Sequence, residues 1–316
     1  MATLDESGER MLIEHMRSIF RRRSEDTVIG PGDDAAVIGG LSDGRVVATT
    51  DAVSVERHKT PNMSWEQFGW TAAAVNFSDL AAMGARPVGL LTAMSMPGDM
   101  EESDLLDIAS GIDQCCEFCK TEVVGGDTKP GLVSSTALGN LEGRKPMTRD
   151  GAQPGDIVAV TGSLGNAAAG FLALENGHTE YEDSIFSLTV PVPRWEEGIK
   201  MAASGAVSSC MDLSDGLGNA CHTICARSHV GMEIEWEFLP IGEEVEEICA
   251  LCRKDVKETV VRWGGDYELL FTFDKSKIQD LYDAGVAFSI IGVVTNDSAP
   301  YLCDGEQRSE MQDGIY

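Results

Sequence analysis

Basic residues are scarce in this chain. Of 316 residues, 24 are Lys or Arg and 52 are Asp or Glu, a net charge of -28. Nucleic-acid and anionic-membrane surfaces need a basic footprint, so neither is expected as a partner. Long apolar runs are missing too, and none approaches the roughly 18 residues of a membrane-spanning helix. The opening MATLDESGER lacks the basic start and apolar stretch of a secretory signal. A cytoplasmic protein is the expectation, and acidity this strong also fits adaptation to high intracellular salt.

Several nucleotide-binding signatures are absent as well. No GxxxxGKS or GxxxxGKT occurs, which excludes a P-loop in the sequence sense. The HRD and DFG pieces of protein kinases are missing. Gly30-Pro-Gly32-Asp33-Asp34-Ala35 formally fits a dinucleotide turn, but its two carboxylates would repel a pyrophosphate. Nine cysteines, an odd number, are read as reduced thiols. Two CxxC spacings, Cys116/Cys119 and Cys249/Cys252, lie over 100 residues apart in helix-like stretches. Zinc ribbons place such pairs in Gly-rich knuckles, so core thiols are the better reading.

What the chain does have is a 43% hydrophobic content, enough for two domains. Apolar spacing predicts helices over 7–20, 64–84 and 101–119. RVVATTDAV reads as a strand with TTD emerging at its end, and PVGLLTAMSM as a buried strand. TEVVGGDTKP reads as strand then turn, and SSTALGNLEG as a further strand. The turn-rich stretch 144–156 is the expected boundary between an N-terminal domain, 1–145, and a C-terminal domain, 150–316. Beyond it, DIVAVTG, MEIEWEF, the end of GGDYELLFTF and a final FSIIGVVT read as strands. Helices follow SLGN and LSDG, and EEVEEICALCRKDV reads as one helix. The predicted class is α+β with α/β-type layers, in two domains.

Seven aspartates stand out against this background. They are Asp33 and Asp34 in GPGDDAAVI, Asp51 in TTDAV, Asp79 in NFSDLAAMGARP, Asp127 in GGDTKP, and Asp212 and Asp215 in MDLSDG. Two unit charges about 4 Å apart at an effective dielectric near 20 repel by roughly 4 kcal/mol. If these motifs converge, a cation must sit among them. Oxygen-only ligands suit Mg²⁺, which usually works with substrate phosphates. Thr49 and Thr50 add hydroxyl and carbonyl oxygens beside Asp51. Gly125 and Gly126 let backbone approach a phosphate, and Ser214 sits where a helix start can bind one. A nucleotide-phosphate enzyme is the expectation. His15, His178, His222 and His229 show no metal-like spacing and are read as structural or surface residues.

Taken together, GDDAAV, TTD, AVNFSDLAAMGARP, GGDT, TRDGAQPGD, TGSLG, DLSDG and GGDYELLFT resemble the thiamine-monophosphate kinase family, over about residues 27 to 295. Its superfamily includes aminoimidazole ribonucleotide synthetase, selenophosphate synthetase and a hydrogenase-maturation protein. The resemblance implies ATP as phosphoryl donor, thiamine monophosphate as acceptor, Mg²⁺, and a homodimer whose N-terminal sheets pair into a barrel. It implies that Asp34, Thr49, Thr50, Asp51, Asp79, Asp127, Asp212 and Asp215 hold metal, with Asp51, Asp127 and Asp212 central to catalysis. Gly126, Arg149 and Ser214 would contact ATP, and His58 the acceptor. The family's GGEDYEL reads GGDYEL here, one residue shorter, so Asp266 is the expected replacement for the acceptor-contacting Glu. Tyr316 is the candidate for an aromatic against the thiamine. Two alternatives stay open: another ATP-dependent synthetase of the superfamily, and a non-catalytic nucleotide-binding module.

Overall fold

A computed structural model describes residues 27–29, 36–38, 45–60, 62–95, 100–129 and 133–314. The helix expected over 7–20, Asp33, Asp34 and Tyr316 lie outside the described residues. The N-terminal sheet contains β1 (Thr27–Ile29), β2 (Ala36–Ile38), β3 (Val46–Val53), β4 (Arg86–Ser95), β5 (Val123–Lys129) and β6 (Val133–Asn140). Its order is β1-β2-β3-β6-β4-β5. β4 and β5 run parallel while the other neighbours are antiparallel, so the sheet is mixed.

Alternation along β6 explains which face is covered. Val133, Ser135, Ala137 and Gly139 are buried, and the residues between them are half-buried. The helix α2 (Trp65–Ala82) covers the buried side, with α3 (Glu102–Phe118) packed against it, while the one-turn α1 (Val55–His58) buries no residue. Ser64 starts α2 with a capping box, accepting the Gln67 N–H at 3.1 Å while its own N–H reaches Gln67 Oε1 at 2.9 Å. Small residues let α2 and α3 touch backbone to backbone. A Cβ on Gly111 would lie 1.8 Å from the Glu66 carbonyl oxygen. Gly111→Ala is therefore expected to cost roughly 1–3 kcal/mol through overpacking. A lower urea midpoint with unchanged m-value would show it.

The structure moves two sequence boundaries. Thr49, Thr50 and Asp51 lie inside β3, paired with Ala137, Thr136 and Ser135, instead of emerging at its end. Gly125, Gly126 and Asp127 likewise lie within β5. The sequence signal was turn-like, but the Ser- and Thr-rich β6 offers a continuous ladder to polar residues. PVGLLTAMSM is also not buried on both sides. Leu90 is fully buried under α2, while Val88 and Leu91 are each 40% exposed on the uncovered face.

The C-terminal sheet contains β7 (Ile157–Val160), β8 (Val207–Asp212), β9 (Gly231–Glu235), β10 (Leu269–Phe273), β11 (Ser289–Thr295), β12 (Pro300–Asp304) and β13 (Gln307–Glu310). Its order is β13-β12-β9-β11-β7-β10-β8. Residues 141–156, without helix or strand, lead into it. Its helices are α4 (Asn166–Glu175), α5 (Glu182–Thr189), α6 (Trp195–Ser204), α7 (Leu217–Ser228), α8 (Val245–Cys252), α9 (Val256–Arg262) and α10 (Ile278–Asp283). The helix expected over EEVEEICALCRKDV is broken, because Arg253 turns left-handed at φ 55° and ends α8. FSIIGVVT is not the last strand, since the β12–β13 hairpin follows it.

Central strands of this sheet are apolar on both faces. Leu269, Phe271 and Phe273 of β10 join a core that also holds Phe77 and Leu80 of α2 and Met201 of α6. Leu270, between them, joins a second core with Leu172, Ile224 and Ile248 from α4, α7 and α8. The first core thus runs unbroken from one sheet to the other, which fixes how the two domains meet. All nine cysteines are free thiols, seven of them buried. Burial pushes Cys116 and Cys225 up to about 12, so these thiols are neutral packing groups.

Candidate functional site

The pleat of β3 sends neighbouring residues to opposite faces. Thr49 points toward α2, where its hydroxyl donates to Asp79 Oδ2. Asp51, two residues on, donates its N–H to Asn76 Oδ1 of α2 at 3.1 Å. Thr50 lies on the other face. Its hydroxyl donates to the Ser135 carbonyl at 2.8 Å and accepts from Thr136 at 3.0 Å.

The next turn of α2 reaches the other domain. Ser78, fully buried, donates to Asp212 Oδ2 at 2.7 Å. Asp212 ends β8 and is 1% exposed, and its Oδ1 accepts the Ser214 hydroxyl at 3.1 Å. This carboxylate therefore receives one hydroxyl from each domain. Thr148 anchors the Arg149 segment beside the same strand, its carbonyl taking the Cys210 N–H at 2.8 Å.

Residues 264–268 clasp the DLSD loop. Gly265 N–H reaches the Ser214 carbonyl at 2.9 Å, Tyr267 N–H the Leu213 carbonyl at 3.3 Å, and Leu213 N–H the Glu268 carbonyl at 2.8 Å. Only a residue without a side chain fits at Gly264, where a Cβ would lie 1.9 Å from the Ser214 carbonyl oxygen. Glu268 bolts this loop down. Arg194 grips both its oxygens, at 2.7 and 2.5 Å, and Thr161 donates to Oε2 at 2.7 Å.

Tyr267 shows which aspartates come together. Its phenol is held far above its usual pKa, first by burial and then by the charges of Asp212, Asp51, Asp215 and Asp79. Charges from both domains thus act on one phenol. Tyr267 also has φ 51°, a left-handed conformation that costs a residue with a Cβ about 1–2 kcal/mol. Sequence reasoning missed Ser78, Asn76, Tyr267 and the Arg194–Glu268 pair. Ser78 and Tyr267 each stand beside an aspartate in a quoted motif, and that adjacency was the only signal.

Other expected residues fall elsewhere. Gly126 aligns with Thr92, Ser135 and Asp51 in one row across four strands. Three strand spacings put it about 14 Å from Asp51. Asp127 follows it in β5, beside Ala93. A Cβ on Gly126 would meet the Thr92 carbonyl oxygen at 1.9 Å, so tight sheet packing already requires glycine there. His58 ends α1 on the surface, and its Nδ1 accepts the Ser54 N–H at 3.0 Å.

Asp266 is held by the start of α4. Its two oxygens accept the Gly165 and Ala167 N–H groups at 2.7 and 3.1 Å, so it caps α4 instead of standing ready for an acceptor. Burial raises its pKa to about 7, against the pull of those N–H donors. A folded-state pKa above the unfolded value means stability is fully present below about 4 and lost as pH rises through about 7. The melting-temperature advantage of the natural chain over Asp266→Asn should therefore shrink between pH 5 and pH 8. A constant difference would contradict this.

Among the described residues, no group of three or more His, Cys, Asp or Glu closes into a metal shell by itself. Mg²⁺ normally takes only one or two carboxylates and completes its sphere with water and phosphate oxygens. Asp51, Asp79, Asp212, Asp215 and the Thr49 hydroxyl supply oxygen donors alone, a set that fits this ion.

Known proteins share this architecture and sequence. The family described as AIR synthase related protein matches through its N-terminal domain at residues 32–141 and its C-terminal domain at 153–302. A thiamine-monophosphate kinase of Pyrococcus abyssi is 32% identical over 93% of this chain and 92% of its own length. The chain belongs to the thiamine-monophosphate kinase family. Within that family, the Escherichia coli K12 protein is 33% identical, covering 95% of this chain and 94% of its own. A solved structure described as AaThiL complexed with AMPPCP and TMP superposes with a TM-score of 0.85 at 30% identity, covering 97% of each chain. A HypE–HypF complex shares the fold, with a TM-score of 0.78 at 20% identity over 96% of this chain and 99% of its own.

Proposed function

We propose that this chain is a cytoplasmic thiamine-monophosphate kinase. It transfers the γ-phosphoryl group of ATP to a phosphate oxygen of thiamine monophosphate, giving thiamine diphosphate and ADP. The observation that carries the reading is the family membership over nearly the whole chain, and the two domains meet through the Ser78–Asp212 contact within the aspartate motifs. The superposed relative that holds an ATP analogue and TMP supports both substrates.

The bond from Pγ to the β–γ bridging oxygen breaks, and a bond from Pγ to an acceptor phosphate oxygen forms. Both partners are anionic, so mutual repulsion is the first barrier. Bound Mg²⁺ supplies the positive charge that neutralises and aligns the phosphates. Asp51, Asp79, Asp212 and Asp215, with Thr49, are the residues that would hold it. Thr50 would contribute its carbonyl, since its hydroxyl is spent within the sheet. Asp34 and Asp127 complete the proposed ligands, and the row geometry assigns Asp127 and Gly126 to a position apart from Asp51. Ser214 and Arg149 would contact the nucleotide and His58 the acceptor, with Tyr316 the proposed aromatic against the thiamine. An acceptor phosphate is ionised at pH 7, so no strong base is required.

The uncovered face of the N-terminal sheet carries Leu91 and Val124, 40% and 51% exposed. Pairing of two such sheets into a barrel would bury it, and a homodimer is part of this reading. With a net charge of -28, the dimer should loosen in low salt by self-repulsion. Light scattering at low and molar KCl measures this, and an unchanged dimer and melting temperature would make the acidity incidental.

A second reading, a related synthetase with another acceptor, is favoured by one observation. The acceptor-contacting Glu is missing, and Asp266 is engaged at α4. ADP release measured with thiamine monophosphate, with thiamine and with no acceptor separates the two. Release that depends on thiamine monophosphate supports the kinase. Release indifferent to all three supports the second reading.

A further inference from the structure

The last described residues leave the C-terminal sheet and run along α7 toward its start. After β13 ends at Glu310, Met311 is anchored. Its side chain is 4% exposed within the second core, and its N–H donates to the Pro300 carbonyl at 2.9 Å. His222 Nε2 lies 2.7 Å from the Met311 carbonyl oxygen, and since a carbonyl only accepts, Nε2 carries the proton and donates. One turn earlier on the same face of α7, Gly218 leaves room for the Gln312 carbonyl, which a Cβ there would meet at 2.2 Å. Arg262, at the end of α9, donates its Nε–H to the Asp313 carbonyl at 3.2 Å. Gly314 then reaches the DLSDG loop, where a Cβ would stand 2.6 Å from the Asp215 carbonyl oxygen. The side chains of Gln312 and Asp313 are exposed, so the tail is held through its backbone. Chain ends fray unless something ties them down. Here three successive carbonyls are each met by a residue of α7 or α9.

We infer that His222 is a positioning residue, which holds the C-terminal tail along α7 as a strap that keeps the Ser214–Asp215 loop in place for the nucleotide. His222 stands five residues into α7, roughly 7–8 Å along the axis from its first residue, so it acts on the loop through the tail. The loop is wedged from its other flank as well. A Cβ on Gly264 would meet the Ser214 carbonyl oxygen at 1.9 Å, and one on Gly216 the Trp263 carbonyl oxygen at 2.6 Å. Backbone therefore presses on this loop from both the 263–264 segment and the tail, and freeing the tail removes one of the two supports. Anchoring the chain end needs only Met311. The tail continues past that anchor to Asp215, and the His222 and Arg262 contacts lie on that path. This inference rests on the proposed nucleotide role of Ser214 and not on the identity of the acceptor.

The test is calorimetric binding of a non-hydrolysable ATP analogue with Mg²⁺, backed by steady-state kinetics. His222→Ala should weaken analogue binding by about 5–10-fold, the scale of one hydrogen bond, and raise the KM for ATP alike while kcat is nearly kept. His222→Gln keeps an N–H donor and should recover most of the affinity. A chain ended after Gln312 keeps the Met311 anchor and should lose affinity to the same extent. The nucleotide readout is independent of the acceptor contact proposed for Tyr316, which this truncation also removes. Joining the truncation to His222→Ala should add nothing, because both act through one strap. Natural affinity in the truncated chain overturns the inference, and so does a combined variant whose losses add. The truncated chain carries the test if His222→Ala folds poorly. A natural chain that binds no analogue removes the nucleotide site and the inference with it. Affinity that falls in these variants without any thiamine diphosphate formed by the natural chain supports the inference and faults the acceptor alone.

Discussion

Asp51→Asn is expected to lower turnover by at least about 100-fold while leaving the fold intact, the scale of losing one electrostatic group at a reacting centre. Asp51 is exposed at the seam, and the contact it makes to Asn76 runs through its backbone N–H, which asparagine keeps. Its charge adds to those of Asp79, Asp212 and Asp215 around one phenol. Removing one of four like charges relieves repulsion in the metal-free state, so the melting temperature without Mg²⁺ should hold or rise. The Mg²⁺-dependent increase should fall. Turnover within a few-fold of the natural chain would refute the metal assignment. Asp212→Asn is a less clean probe, because that side chain also joins Ser78 to Ser214 and its loss mixes catalysis with domain contact.

Glu268→Ala should destabilise the chain strongly. Glu268 is 3% exposed and accepts from Arg194 twice and from Thr161 once. Breaking a buried pair by removing one partner costs 3–5 kcal/mol, and the lower end, about 3 kcal/mol, applies here. The Arg194 side chain keeps 31% of its surface in water, which softens the penalty of its lost partner. The same change frees the loop that clasps Leu213 and Ser214, between Asp212 and Asp215, so Mg²⁺ response should weaken along with stability. Urea unfolding of the metal-free chain measures the first effect. A loss below about 1 kcal/mol, the scale of an exposed pair, would mean the pair is not buried as described. Glu268→Gln keeps the shape and some of the hydrogen bonds, and should fall between the two.

Much of the fold was legible because its signals are local. Ser64 with Gln67 announces the start of α2, and alternation in VSSTALGN announces a half-buried strand. The aspartates were legible as a set because each sits in a Gly-, Ser- or Thr-rich motif. Less legible was everything set by pairing. Thr49 and Asp51 look turn-like in isolation, and only the β6 ladder makes them strand residues facing α2. Asp266 looked available for substrate until α4 brought two N–H groups to it. Helices α1, α5, α6, α9 and α10 escaped notice. Short stretches such as EDSIFSLT carry too few apolar turns to stand out from loop. Tyr267 could not be singled out, since neither its φ nor its neighbours are encoded nearby in sequence. They follow from contacts with residues more than 50 positions away.

The most direct test of the whole account is product formation. Purified chain would be incubated with ATP, Mg²⁺ and thiamine monophosphate in low and in molar KCl, with products separated by chromatography. The account predicts thiamine diphosphate appearing one-for-one with ADP, and neither product when Mg²⁺ is chelated. ATP bound, or hydrolysed, with no thiamine diphosphate at either salt concentration would contradict it.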